Sequence, residues 1–168
     1  MNFKTWSYRF ADQVLNSNLK IKSELEQVIR GIQFQRIDFN RKALNKTFKD
    51  GFLALGWQDQ PRLFESEDVD EDQEVPMSKI DFLKDRIGVG VAFTHESFLG
   101  TDLLKFQTLS YSSLDKMDVG IYIVATKSLQ KTVGKALQTS ITYEKVLKYL
   151  PHFKTAIQVP ILVVGLLP

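Results

Sequence analysis

The chain has 168 residues, 43% hydrophobic and 25% charged, with no cysteine, two histidines (His95 and His152), and 22 Lys and Arg against 20 Asp and Glu. That is the size of one ordinary domain, able to bury a single core without a staple. Zero Cys and two distant His exclude zinc clusters, thiol nucleophiles and disulfide scaffolds. The first twenty residues include Lys4, Arg9 and Asp12, so no signal-peptide core is present, and the longest apolar run, Val159 to Pro168, is about half of the roughly 20 residues a membrane helix needs. A cytoplasmic protein with no membrane partner is expected.

In chain order, Trp6, Phe10, Val14 and Leu15 sit at helical spacing, and Asn16-Ser17-Asn18 breaks the pattern with residues suited to a new N-cap. A second helix is marked by Leu19, Ile21, Leu25, Val28, Ile29 and Ile32. A third runs from about Arg41 to Leu55 on Leu44, Phe48, Phe52 and Leu55, and Gly56 ends it. The first third is therefore expected to be helical. Arg41, Lys42, Lys46 and Lys49 on the third helix are candidates for phosphate contacts, with a solvated basic face as the plainer alternative.

Charge is segregated along the chain. Residues 1–60 hold ten Lys/Arg against six Asp/Glu, residues 61–80 two against seven, and residues 81–168 ten against seven. The acidic stretch from Glu65 to Glu74, between Pro61 and Pro76, reads as an exposed loop over about 65–76. A solvated connector is its plain reading, with metal collection or nucleic-acid mimicry as alternatives. The rest of the chain is basic, which leaves nucleic acid open as a partner.

Beyond the loop the period changes. Ile80-Asp81-Phe82-Leu83 and Ile87 to Thr94 form a hairpin pattern across a Lys84-Asp85-Arg86 turn. Phe98 to about Ser110 reads as a helix, Val119 to Ala125 as a buried strand, Ile141 to Leu150 as a helix stopped by Pro151, and Val159 to Leu166 as a last strand. Strands alternating with helices after a hairpin imply an α/β sandwich with a mixed sheet. Lys127, Lys131, Lys135 and Gln138 are candidates for phosphate or base contacts by position.

Gly88-Val89-Gly90-Val91-Ala92 lies within a strand pattern and lacks the strand-to-helix placement of a dinucleotide fingerprint. What carries chemistry is Asp81, followed nine residues later by the middle of the next strand. In nucleases built on such a hairpin, a first Asp is followed by Glu-x-Lys or Glu-x-Gln, whose outer residues share one face by period-2 alternation. The two carboxylates hold Mg2+ against the scissile phosphate, and the Lys or Gln positions water. Here the triplet is Gly90-Val91-Ala92: the spacing is present and two of the three functional groups are absent.

The segment from Met77 to Phe93 resembles the core of the BglII/BstYI-type restriction endonucleases, with an Ile-Asp-Phe strand, a charged turn and a Val-Glu-Val-Gln-Phe-like strand. Ala11-Asp-Gln-Val-Leu-Asn16, Leu44-Asn-Lys-Thr-Phe48 with Gly56-Trp57, Met117-Asp118-Val119-Gly120 and Val159 to Leu166 extend the likeness over nearly the whole chain. The resemblance implies a PD-(D/E)xK restriction-endonuclease-like core, with a mixed β-sheet flanked by helices, in one domain over residues 1–168. It further implies a homodimer on a palindromic site in double-stranded DNA, and Mg2+-dependent phosphodiester hydrolysis leaving a 5′-phosphate. Relatives of this kind continue past the closing strand, so the end at Pro168 is expected to mark a C-terminal shortening.

Only Asp81 carries over as a catalytic and metal-binding residue, and Gly90 and Ala92 stand as degenerate catalytic positions. Glu96 shares their parity, but six strand residues put it roughly 20 Å from Gly90. Lys105, reaching back over the sheet end, and the loop residue Glu74 are the substitutes left open. Reduced or lost hydrolysis is therefore expected, with a catalytically inactive DNA-binding or dimerising relative as the alternative and a protein-interaction domain as a third. For Asp81 itself a purely structural role, bonding a neighbouring turn, is the competing account. For Gly88 and Gly90 it is close backbone packing.

Overall fold

Strand β5 (Val119–Ala125) is buried at all seven positions, which a strand achieves only when both faces of its sheet are covered. The computed structural model describes residues 1–33, 39–61, 79–111 and 115–168, and shows why. Six strands, β1 (Phe3–Tyr8), β2 (Gln58–Asp59), β3 (Phe82–Lys84), β4 (Ile87–Ala92), β5 and β6 (Ile161–Leu166), form one sheet in the order β1-β6-β5-β4-β3-β2. The central trio β4, β5 and β6 is parallel, and the flanking pairs are antiparallel. The mixed α/β sandwich expected from the sequence is what forms. The acidic loop at 65–76, Glu74 included, lies outside the described residues.

Parity along the strands assigns each residue to a layer. Ile87 and Val89 of β4 and Val119, Ile121 and Ile123 of β5 face helices α1 (Ala11–Asn16), α2 (Leu19–Gly31) and α3 (Arg41–Ala54), where Leu15, Leu25, Ile29, Phe48 and Phe52 close the core. Ala92 of β4 and Tyr122 and Val124 of β5 face the opposite layer, where Leu103 and Phe106 of α4 (Leu99–Tyr111) and Val146 of α6 (Tyr143–Tyr149) cover them. Gly90 shares the parity of Ala92, so both degenerate positions face α4.

Local signals explain the helix ends. The Asn18 side chain accepts from Ile21 N at 3.3 Å, and that of Asn40 accepts from Lys42 N at 2.8 Å, each satisfying an amide the helix cannot. Gly56 takes a positive φ of 79° after α3. The hairpin turn narrows to Asp85 and Arg86, both at positive φ (46° and 63°), the signature of a two-residue primed turn. Lys84 instead belongs to β3. Its Nζ donates to both Glu24 carboxylate oxygens, at 2.9 and 2.8 Å, and to Leu55 O at 2.6 Å. This ties α2 and the end of α3 to the strand that follows Asp81.

Three expectations need correction. Trp6 does not begin a helix: it lies in β1, opposite Val163 of β6, and α1 starts only at Ala11. The helix expected from Ile141 begins at Tyr143, and the strand expected from Val159 begins at Ile161. In addition, α5 (Lys127–Val133) is a helix the apolar pattern did not show. No helix among the described residues is long and apolar enough to cross a membrane.

Candidate active site

Asp81 immediately precedes β3, where the backbone has begun to part from β4: the last paired residues are Phe82 and Val89. Its carbonyl still accepts from Gln60 N at 2.9 Å. Its side chain fills the gap on the other side, with Oδ2 accepting from Val91 N at 2.7 Å. A carboxylate oxygen here takes the place of a missing ladder carbonyl, so the side chain bonds the neighbouring strand and not a turn. This bond also fixes the carboxylate against β4, beside the degenerate triplet.

That carboxylate looks into a cleft of about 150 Å³ between β4 and α4, lined by Asp81, Gly90, Ala92, Asp102, Lys105 and Tyr122, with Lys79 and Thr94. Asp102 and Lys105 stand three residues apart on α4 and so share one face. Tyr122, opposite Gly90 in the parallel register, donates its hydroxyl to Asp102 Oδ2 at 2.8 Å. Lys105 Nζ is 3.9 Å from Asp102 Oδ1. Lys105 therefore lies where the sequence left it open to lie, at the cleft.

Burial raises the pKa of Asp81, helped by the nearby charges of Asp102 and Asp59 and opposed by the Val91 amide and Lys105. Burial likewise raises Asp102, against the Tyr122 hydrogen bond and Lys105. The Tyr122 phenol is pushed well up by burial and by the charge of Asp102, which keeps it a neutral donor.

The two glycines of β4 have different reasons. A Cβ on Gly88 would meet Met117 Sδ at 2.4 Å and Ile80 Cδ1 at 2.8 Å, so close packing accounts for it. A Cβ on Gly90 would meet Phe106 Cζ at 3.0 Å and Tyr122 Cδ2 at 3.6 Å. Only a ring edge stands in the way, and the open side of Gly90 is the cleft.

Of the other candidates, Arg41 donates from Nη1 to Phe93 O at 3.2 Å, which fixes the start of α3 to the C-terminal end of β4. Lys46 pairs with Asp50 at 2.9 Å and Lys49 with Asp59 at 2.5 Å. These two line a second hollow of about 220 Å³ that borders Asp81 from the α3 side. Lys42, Lys127, Lys131, Lys135 and Gln138 are exposed. The Lys127 group follows the C-terminal end of β5, and the segment behind α5 reaches β4's exit, where Glu96 N donates to Thr139 O at 2.9 Å. Arg41, Lys42 and Lys127 thus lie at the same end of the parallel strands as Ala92 and Thr94. Glu96 pairs with Lys145 and Asp85 lies exposed in the turn, so neither joins the cleft. Asp102 and Tyr122 are the residues that sequence reasoning missed.

Among the described residues no group of three His, Cys, Asp or Glu could hold a metal ion. Mg2+ does not require one: it commonly binds one or two carboxylates and completes its shell with water and phosphate. Asp81 and Asp102, each a carboxylate on the wall of one polar cleft, fit that demand.

A family model described as "Restriction endonuclease BglII/BglIII" matches residues 3–166. The crystal structure of BglII complexed with a DNA 16-mer superposes with a TM-score of 0.80 at 21% identity, covering 100% of this chain and 77% of that one. Free BglII gives 0.69 at 19% identity, covering 100% and 80%. No curated protein matches by sequence.

Proposed function

The chain belongs to the BglII/BglIII restriction endonuclease family, and from that premise we propose that it binds double-stranded DNA as a cytoplasmic homodimer at a palindromic site and hydrolyses a phosphodiester there with Mg2+, leaving a 5′-phosphate. Each protomer is read as a single restriction-endonuclease-like domain. The rate is well below that of a site carrying Glu and Gln on β4, because Gly90 and Ala92 contribute no side-chain donor or acceptor.

The observation that carries this reading is Asp81: a carboxylate locked by the Val91 amide and directed into a polar cleft at the edge of β4. When bound, Mg2+ supplies the positive charge that stabilises the phosphorane-like transition state. The Asp81 side chain is held in place before substrate arrives, since its hydrogen bond to Val91 is part of the fold. Exposed Lys42, Lys127, Lys131 and Lys135 supply phosphate attraction near the strand ends, while Lys46 and Lys49 must first release Asp50 and Asp59.

The test is DNA binding across a salt series with plasmid cleavage in parallel. Neutralising about six phosphates gives a log–log salt slope of about −5, and Mg2+ yields discrete fragments that Asp81→Ala abolishes. Absence of salt-dependent binding would overturn the reading. A second reading, a DNA-binding relative without hydrolysis, is favoured by Gly90 and Ala92. It requires tight binding, no fragments at any metal concentration, and fragments from the double variant Gly90→Glu, Ala92→Gln.

A further inference from the structure

We propose that Asp102 and Lys105 of α4 stand in for the two groups β4 lacks, Asp102 as the second metal-binding carboxylate and Lys105 as the cation that positions the attacking water. This rests on the reading of the cleft as a DNA-hydrolysing site.

Gly90 and Ala92 face α4, so the side chains expected at these positions would enter the very space that Asp102 and Lys105 now border. Helical spacing of three presents the two α4 residues side by side, with Lys105 Nζ 3.9 Å from Asp102 Oδ1. The glycine and the helix carboxylate are also linked mechanically. Gly90 lies opposite Tyr122 in the β4–β5 register, and its missing Cβ leaves the Tyr122 and Phe106 rings undisturbed. Tyr122, 1% exposed, then uses its hydroxyl to hold Asp102 Oδ2 at 2.8 Å. Tyr122 is thus a positioning residue: it fixes one oxygen of Asp102 and leaves Oδ1 on the Lys105 side. Asp81, Asp102 and Lys105 together bring to the cleft the two carboxylates and the amine that the β4 triplet and its Asp would have supplied, two of them drawn from a different element.

In the hydrolysis, the oxygen of a water molecule forms a bond to phosphorus while the P–O3′ bond breaks and its electron pair leaves on O3′. The water's proton passes to solvent and O3′ takes one from solvent, giving a 5′-phosphate and a 3′-hydroxyl. Lys105 donates a hydrogen bond to the incoming water and to a non-bridging phosphate oxygen. Asp81 and Asp102 would hold the cation, which would supply positive charge beside the reacting phosphate.

The decisive experiment measures Mn2+ binding to the full chain by EPR, without DNA, alongside cleavage kinetics with Mg2+. Asp102→Asn, which keeps the Tyr122 hydrogen bond possible, is expected to weaken Mn2+ binding at least about tenfold. Lys105→Met leaves Mn2+ binding unweakened and lowers kcat about 10²-fold or more at unchanged KM. Tyr122→Phe weakens Mn2+ binding about tenfold, as an outer-shell change does. Gly90→Glu in the Asp102→Asn background restores Mn2+ binding. Variants that bind Mn2+ and cut like the parent, while Asp81→Ala is dead, would overturn the inference and leave the nuclease reading intact. Asp102-dependent Mn2+ binding by a protein that cuts no DNA would support the metal assignment and overturn the nuclease reading instead. No Mn2+ binding by the unaltered protein overturns the inference.

Discussion

Replacing Lys84 by Met tests whether the strand that follows Asp81 is anchored by charge. Glu24 is 8% exposed and accepts from Trp57 Nε1 at 2.9 Å as well as from Lys84. Lys84→Met keeps much of the side chain's volume, removes the ammonium from both Glu24 oxygens, and orphans the Leu55 carbonyl near the end of α3. Removing one partner of a buried pair costs about 3–5 kcal/mol, and the double change Glu24→Gln, Lys84→Met should recover about 1–3 kcal/mol of it. The pH dependence has a definite sign. Burial alone would raise the Glu24 pKa, but the hydrogen bonds from Lys84 and Trp57 overcome it and leave the carboxyl below its ordinary range. The pair's stabilisation is therefore complete above the unfolded value of about 4.3 and fades as pH falls through the folded one. Without Lys84 the largest influence that lowers the Glu24 pKa is gone, and the variant loses less on acidification than the parent. Urea unfolding at pH 7 and pH 4 measures both effects. A loss under about 1 kcal/mol at pH 7, or a gap that does not narrow in acid, would refute the reasoning.

Gly165→Ala should cost about 1–3 kcal/mol by overpacking, because its Cβ would stand 2.6 to 2.9 Å from Tyr143 Cδ2, Cγ and Cβ; thermal unfolding of Gly88→Ala, opposed by the flexible ends of Met117 and Ile80, should show a smaller loss. Since burial raises the Asp81 pKa, its proton is held more tightly folded than unfolded, and stability is lost as pH rises from about 3.9 through the folded value. Asp81→Asn is accordingly expected to raise Tm at pH 8 and to leave it unchanged near pH 3. An equal Tm at both pH values would count against a buried, costly carboxylate. Gly90→Glu with Ala92→Gln should raise the plasmid cleavage rate about 10² to 10⁴-fold, provided the Phe106 ring yields the few tenths of an ångström that its 3.0 Å approach to a Cβ demands. A well-folded double variant that binds DNA without cutting faster would show that the cleft geometry, and not the missing groups, limits hydrolysis.

Much of the sheet was legible because its strands are local statements. Val119–Ala125 is a continuous apolar run, and both faces of β5 are indeed covered. Strand β1 was not, because Trp6 and Phe10 also fit a helical spacing and the strand is specified by β6, more than 150 residues away. Helix α5 was hidden by its length of seven residues and single buried Leu129; its Thr126 cap, accepting from Leu129 N at 3.2 Å, was the available signal. At the site, Asp81 could be read because its relation to β4 is a spacing along a hairpin. Asp102 could not, since what makes it part of a cleft is a hydrogen bond from Tyr122, twenty residues later on another element. The spacing of Asp102 and Lys105 on a helix with buried Leu103 and Phe106 is the sole local hint. The basic stripe on α3 looked free from its sequence, yet Asp50 and Asp59 already neutralise Lys46 and Lys49.

Cleavage of supercoiled plasmid by the purified chain with Mg2+, compared with Asp81→Ala at matched DNA occupancy, tests the central claim most directly. The account predicts slow production of discrete fragments that EDTA stops and that the variant never yields, although it binds DNA equally well. Equal cutting by both proteins, or no cutting by either at saturating DNA, would contradict it.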